Sequence, residues 1–457
     1  MAVPTSTRAV ALATIVTLFA GAPAWGLMRP DHALAVAVGL TAQTLCAETF
    51  ISGLPPERIF HDSVAARPGL NLIAWGLRYN IDQQRREVSA SWLGLARTSA
   101  VHRGPAGCQL NHGRPIAPAP ILAPIAVSTT PWIKAPADTR IEAALDQAFA
   151  EPAKGAHRVR AIVIVRDGQI VGERYGPGVR SDTALPGYSL TKTAIGALTG
   201  VAVRQGRLRM DQAAPVTQWR AAGDPRATIT PNALLRMTSG LDAAETHSGF
   251  DPTSRMLFLE PDMAAYAQDL PAKQAQGHAF AYQSANTLIL SRILANLAGG
   301  READALSFVR RELFAPLGMT TAVLQTDAAG TPVGSEGMLA SARDWARLGQ
   351  LFMDDGIHDG RRILPEGWVA YATRPTLGGP YGAGLWLARA SKPTPLSIIT
   401  QASLPADAFY ASGDLGQRIY ILPSARLVVV RLAASTGPAF GIRADMTLLG
   451  ALSSASD

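Results

Sequence analysis

The chain has 457 residues, 47% of them hydrophobic and 17% charged, with a formal net charge of +7. That length and apolar content specify a folded protein with one large domain and a smaller region, and exclude an intrinsically disordered chain. The basic residues are scattered singly or in pairs such as Arg85-Arg86 and Arg361-Arg362, with no basic run, so the positive charge reads as a diffuse surface and not as a nucleic-acid site.

In chain order, Arg8 precedes a mostly apolar stretch, AVALATIVTLFAGAPAWGLM, and Arg29 follows it. Residues 1–30 therefore read as a signal peptide with a small-residue cleavage site around Ala22-Pro23-Ala24, or as an uncleaved membrane anchor. Either reading exports the protein, to the periplasm or to an anchored position on the cell membrane. Residues 31–114 form a small region bracketed by Cys46 and Cys108, the two cysteines of the chain and disulfide candidates in an exported protein. A strand is predicted within RREVSASWLGLARTSAV, where Val88, Ala90 and Trp92 alternate with polar or small residues. Residues 115–140 are a linker: six prolines between 115 and 136 prevent a regular helix or central strand and leave a stiff, extended connector.

Residues 141–457 read as the main domain. VRAIVIVRDGQIVGERYG is two β-rich runs about Asp167-Gly168, a strong hairpin signal, and QRIYILPSARLVVVRL is a second strand–turn–strand. Helical patterns fill the interval, in TAIGALTGVAVRQG, ANTLILSRILANLAG and SARDWARLGQLFMDDG, and ADMTLLGALSS closes the chain. The expected fold class is α/β (α+β): an antiparallel sheet formed by both ends of the domain, with helices packed around it.

Lysine usage singles out one stretch. Only five of the 42 basic residues are lysines, and one of them, Lys192 in LPGYSLTKTAIGALTG, stands three residues after Ser189. No other lysine has a serine at that spacing. Gly187 offers a turn and helical propensity resumes at Ala194, so Ser189 and Lys192 share a face near a helix start. A serine hydroxyl needs a base to become a nucleophile, and a lysine neutralised by burial or by neighbouring positive charge can act as one. Free N–H groups at a helix start also favour a developing oxyanion. Two further segments carry candidate chemistry. Tyr282 and Ser284 in FAYQSANTL precede a helix, and a tyrosine near a lysine can pass a proton between nucleophile and leaving group. In FYASGDLGQRIYILP, Gly413 allows close backbone approach, and a backbone N–H there can complete an oxyanion hole with that of Ser189. His247 is a candidate pocket residue. No G-x-S-x-G, zinc-ligand spacing or phosphate loop is found, so neither metal nor other cofactor is expected.

In order, these three segments resemble the serine β-lactamase and penicillin-binding-protein superfamily, whose motifs run S-x-x-K, Y-x-N and K-T-G. ITPNALLRMTSGL, LFAPLGM, GMLASARDWARLGQLFMDDG and YGAGLW look like class C β-lactamase relatives, while YQSANT and ASGDLGQRIYI look most like the 6-aminohexanoate-dimer hydrolase branch. The likeness spans roughly residues 155 to 450 and implies a β-lactamase/transpeptidase-like fold. It also implies that Ser189 is the acylated nucleophile, Lys192 its base partner and Tyr282 the general acid/base. Ser284 would orient Lys192 or the substrate, and the N–H groups of Ser189 and Asp414 would form the oxyanion hole. The pattern departs at the third motif, where Ala411 replaces the lysine or histidine of relatives and Asp414 adds negative charge, with Arg418 a possible compensation. The resemblance then implies hydrolysis of a small, neutral or amine-bearing linear amide or ester. The alternatives are a penicillin-binding, β-lactamase or D-alanyl peptidase activity, and a non-catalytic envelope protein of the same fold. Oligomeric state is left open.

Overall fold

Proline at the first position and a nearly all-round apolar surface make residues Pro30–Phe50 a buried helix, α1. The computed structural model describes residues 29–128, 130–151, 158–437 and 441–453. The apolar stretch read above as a signal or anchor lies outside these up to residue 28. Helix α1 is itself long and apolar enough to cross a membrane, but it lies against a four-stranded antiparallel sheet, with Val38, Ala42 and Leu45 fully buried. The sheet runs β1 (Leu77–Asp82), β2 (Glu87–Trp92), β3 (Ala96–His102) and β4 (Cys108–Leu110) in order. The strand predicted across RREVSASWLGLARTSAV is thus two strands. Leu93 and Gly94 adopt φ of 46° and 75°, a left-handed pair that turns the chain back on itself. Cys46 on α1 and Cys108 on β4 are joined by a disulfide that spans 62 residues.

The proline-rich segment is irregular, as its composition dictates, but it is not loose along its length. The Arg103 guanidinium donates to the carbonyls of Ala117 and Pro118, and Lys134 forms a parallel bridge to Ile170.

Helix α2 (Thr139–Phe149) starts on an Asp138 cap and leads into the hairpin of β5 (Val159–Arg166) and β6 (Gln169–Tyr175), which turns at Asp167-Gly168. The main sheet is completed from the far end of the chain by β7 (Trp386–Leu387), β8 (Phe409–Gly413), β9 (Gln417–Leu422) and β10 (Leu427–Ala433). Its order is β7-β8-β9-β10-β5-β6, every neighbour antiparallel, with β5 paired to β10 as the join between the two ends. Strand β5 is buried on both faces. Ile162 and Ile164 meet α2 and the C-terminal helix α6 (Ile442–Ser453), while Val163 and Val165 face the central helices. Those are α3 (Leu190–Arg204), α4 (Ser284–Ala298) and α5 (Ala342–Met353). Buried side chains of α1 and β2 belong to the same continuous core as those of α3, α4 and β5, so the N-terminal region packs as part of the main body.

Candidate active site

Ser189 occupies the N-cap of α3, and the residue before it, Tyr188, is held at φ 46°. A non-glycine residue in that left-handed region is a strained turn that persists only where its surroundings enforce it. The enforcement comes from close packing on both sides of Gly187. A Cβ on Gly187 would lie 2.2 Å from the Trp345 ring of α5, and a Cβ on Gly413 would lie 2.3 Å from the Gly187 carbonyl oxygen. Two glycines thus let the end of β8 sit directly against the approach to Ser189. The left-handed residue is Tyr188; Gly187 itself serves close approach.

One turn into α3, Lys192 is 1% exposed, and its Nζ spends its hydrogen bonds within the site. Nζ lies 2.9 Å from Ser189 Oγ, 3.1 Å from Ser284 Oγ and 3.0 Å from the Ser335 carbonyl oxygen. Three oxygens at this range match the three donors of an ammonium. The Tyr282 ring stands 4.9 Å from Nζ and is itself stacked on Trp386 of β7, with centroids 5.4 Å apart, and set edge-on to Tyr381. Ser284 opens α4, and its N–H donates to Glu245 Oε2 at 2.5 Å. Burial on its own would lower the Lys192 pKa. The negative charge offered by Tyr282, Glu245 and Glu336 outweighs it, and the net shift is upward. The sequence reading looked for a lysine whose pKa is lowered by burial; the net shift runs the other way.

A cavity of about 450 Å³ opens onto Ser189, Tyr282, Ser284, Gly413 and Asp414, so all of these residues and the adjacent Lys192 come together. His247 lies at its exposed rim, 3.7 Å from Glu245. Arg418 is buried beside it, with Nη1 donating to the carbonyls of Gly413 and Gln417. It braces the strand end and leaves the charge of Asp414 to another partner. That partner, Arg67, comes from the N-terminal region and had no sequence signal. The carboxylates of Glu245 and Glu336 were also missed as site residues, although Glu245 lies two residues before His247 and Glu336 immediately precedes GMLASARDWARLGQLFMDDG. Glu336 has no ion-pair partner among the described residues, and burial pushes its carboxyl up despite Lys192, His247 and Arg67. The cavity continues under α1, where Leu40, Ala47, Leu110, Leu257 and Phe258 make an apolar wall.

The beta-lactamase family profile matches residues 145–452, about two thirds of the chain. The chain belongs to the beta-lactamase family. Within it, the chain is 29% identical over 224 residues to a 6-aminohexanoate-dimer hydrolase of Paenarthrobacter ureafaciens, covering 46% of this chain. It spans only 55% of the length of that curated relative. Among solved structures, a penicillin-binding-protein homologue from Caulobacter crescentus superposes with a TM-score of 0.54 at 18% identity, covering 70% of this chain and 98% of that one. A family VIII carboxylesterase gives a TM-score of 0.52 at 18% identity, covering 70% and 98%. These likenesses establish the beta-lactamase and penicillin-binding-protein fold, an antiparallel sheet with helices around it. The profile starts at residue 145, so α1, β1–β4 and Arg67 lie outside it.

Proposed function

We propose that this protein is a serine hydrolase that forms an acyl-enzyme at Ser189 and cleaves small linear amides or esters. The observation that carries the reading is the Lys192 Nζ–Ser189 Oγ contact of 2.9 Å at the floor of the cavity, with Tyr282 beside it. The Ser189 hydroxyl proton passes into the Lys192–Tyr282 pair as Oγ bonds to the carbonyl carbon. The pair takes that proton in the form that holds a single titratable proton between Lys192 Nζ and the Tyr282 oxygen, so that Lys192 ends as the ammonium and Tyr282 as the phenol once Oγ has bonded. The N–H groups of Ser189 and Asp414 receive the oxyanion. Collapse breaks the C–N or C–O bond, the departing amine or alcohol takes the proton from Tyr282, and water then repeats the sequence to release the acid.

Charge around the serine selects the substrate. Ala411 supplies no cation, Arg67 is spent on Asp414, and Glu245 and Glu336 face the cavity. An anionic substrate such as a penicillin or a peptide carboxy-terminus finds no cation at the third motif to pair with, while a neutral or amine-bearing amide or ester needs none. A 6-aminohexanoate-type linear amide, the substrate in the name of the Paenarthrobacter relative, is amine-bearing at its acyl end, and its one carboxylate stands a flexible alkyl chain away from the scissile amide. Residues 1–30 export the chain as a signal or anchor, consistent with a disulfide between Cys46 and Cys108.

Intact-protein mass spectrometry after fluorophosphonate treatment tests the reading. Hydrolysis of a short p-nitrophenyl ester, a linear 6-aminohexanoate amide and a chromogenic cephalosporin is followed alongside. An adduct on the wild type and none on Ser189→Ala, with ester or amide turnover, is the expected result. Equal labelling of both proteins, or no label and no turnover in the wild type, would remove it.

A further inference from the structure

Part of the wall around the nucleophile comes from residues that precede the family match. Arg67 follows the turns after α1, and its side chain is only 13% exposed. Its guanidinium reaches both flanks of Ser189. Nη1 pairs with the Asp414 carboxylate, and Cζ stands 5.3 Å from the centroid of the Tyr188 ring. Nε donates to the Ser63 carbonyl at 2.7 Å. The Ser63 hydroxyl accepts from Arg160 Nη2 at 2.8 Å, and Arg160 Nη1 meets Glu48 of α1 at 2.6 Å, both ions being buried. A polar chain therefore runs from α1 and β5 through Ser63 to Arg67, and ends on the residue before Ser189 and the residue after Gly413.

We propose that Arg67 is a positioning residue of the active site, which clamps Tyr188 to Asp414 and so fixes the two backbone N–H groups that receive the oxyanion. The proposal rests on the hydrolase reading above. Arginine suits the task because one planar, permanently charged group can stack on a ring and hydrogen-bond a carboxylate at once. Tyr188 needs such a hold. Its backbone is strained, and its hydroxyl is buried with no hydrogen-bond partner among the described residues. Oxyanion donors work only when held in place before charge develops, and small misplacements are costly.

The charges facing Asp414 are Arg67, His247 and Glu336; Tyr188 and Glu336 also face Arg67, and Lys192 faces Glu336. Burial alone would raise the Asp414 carboxyl, but the charge and hydrogen bond of Arg67 outweigh it and hold it below its ordinary value. A carboxyl depressed in the folded state keeps its pairing above the unfolded value of about 3.9 and loses it as pH falls through the lower folded value. Removing Arg67 takes away the largest of the contributions that hold Asp414 down and leaves burial opposed only by His247 and the Leu415 N–H, so its titration moves up.

The test measures p-nitrophenyl acetate hydrolysis and fluorophosphonate labelling against pH for the full chain and for Arg67→Met, Arg67→Lys, Asp414→Asn and the Arg67→Met/Asp414→Asn double variant. The expected result for Arg67→Met is a fall in kcat of about ten-fold or more with KM changed less than about two-fold, as for a group acting on transition-state geometry. Its acid limb moves to higher pH, Arg67→Lys, which restores the charge but not the planar contact with Tyr188, recovers part of the rate, and the double variant is no worse than the poorer single. Should Arg67→Met fail to fold, the recovery in Arg67→Lys and the acid limb of Asp414→Asn carry the same question. Wild-type rate and pH profile in these variants, a change confined to KM, or additive losses would overturn the proposal while leaving the hydrolase reading intact. An inactive, unlabelled wild type would sink that reading first.

Discussion

The two halves of the cavity at Ser189 are built on opposite principles. On the side of α3 and α4, each functional group is fixed by its place on a regular element: Ser189 at an N-cap, Lys192 one turn on, Ser284 at the next helix start. On the side of α1 and residues 60–67, the groups are fixed by one another, through Glu48, Arg160, Ser63, Arg67 and Asp414. The first kind of site writes itself as a short motif, because helix geometry converts spacing into distance. The second leaves no local trace, since its partners lie 112 residues apart for Glu48 and Arg160 and 347 apart for Arg67 and Asp414.

The contrast breaks most sharply at the helix side. Lys192→Arg places a bulkier, permanently charged fork where a compact ammonium reaches three oxygens, and a fall in kcat of about 10³-fold or more is expected from ester hydrolysis and fluorophosphonate labelling. Retained activity would mean that only the charge matters. The wall side is probed by Cys46→Ser/Cys108→Ser. Opening a 62-residue loop removes about 4 kcal/mol on chain-entropy grounds, which urea unfolding would read as a lower midpoint. An unchanged midpoint would show that the buried ion chain alone holds α1 in place. Where the two sides touch, Gly413→Ala drives a methyl group into the Gly187 carbonyl, and about 1–3 kcal/mol of stability goes with it. Its activity loss should exceed what the stability loss explains, and equal losses would separate β8 from the oxyanion contact. The smallest effect is expected at Ser341, whose Oγ caps α5 through the Asp344 N–H at 3.1 Å. Ser341→Ala costs about 1 kcal/mol by the same urea titration and leaves kcat alone.

How much was legible follows from the same contrast. The Asp167-Gly168 hairpin, the β9–β10 pair and helices α3 to α5 were readable because turn residues and apolar periodicity are local properties. The strand at 85–101 was misread as single, since Leu93 is an unusual residue for the left-handed turn that breaks it. Lys192 and Ser189 were found by spacing, but the direction of the lysine's shift was not, because Glu245 and Glu336 reach it from separate loops. Arg418 stood in the sequence as a possible counter-ion to Asp414. Folding turned its Nη1 to backbone carbonyls and brought Arg67 to the carboxylate instead.

The join between β5 and β10 has a consequence in time. Residue Arg166 pairs with Leu427, and between them lie Ser189, Tyr282 and the strand that ends at Gly413. A ribosome adding about 5–20 residues per second needs on the order of tens of seconds to travel from one strand to the other. For most of that interval Ser189 has been made, but the sheet beside it has no second half. The covalently closable segment at the front of the chain, by contrast, is complete before the serine is synthesised. The order of manufacture is wall first, Ser189 second, and the strand that completes the cavity near the end, so an incomplete chain carries that serine without the surface that closes around it.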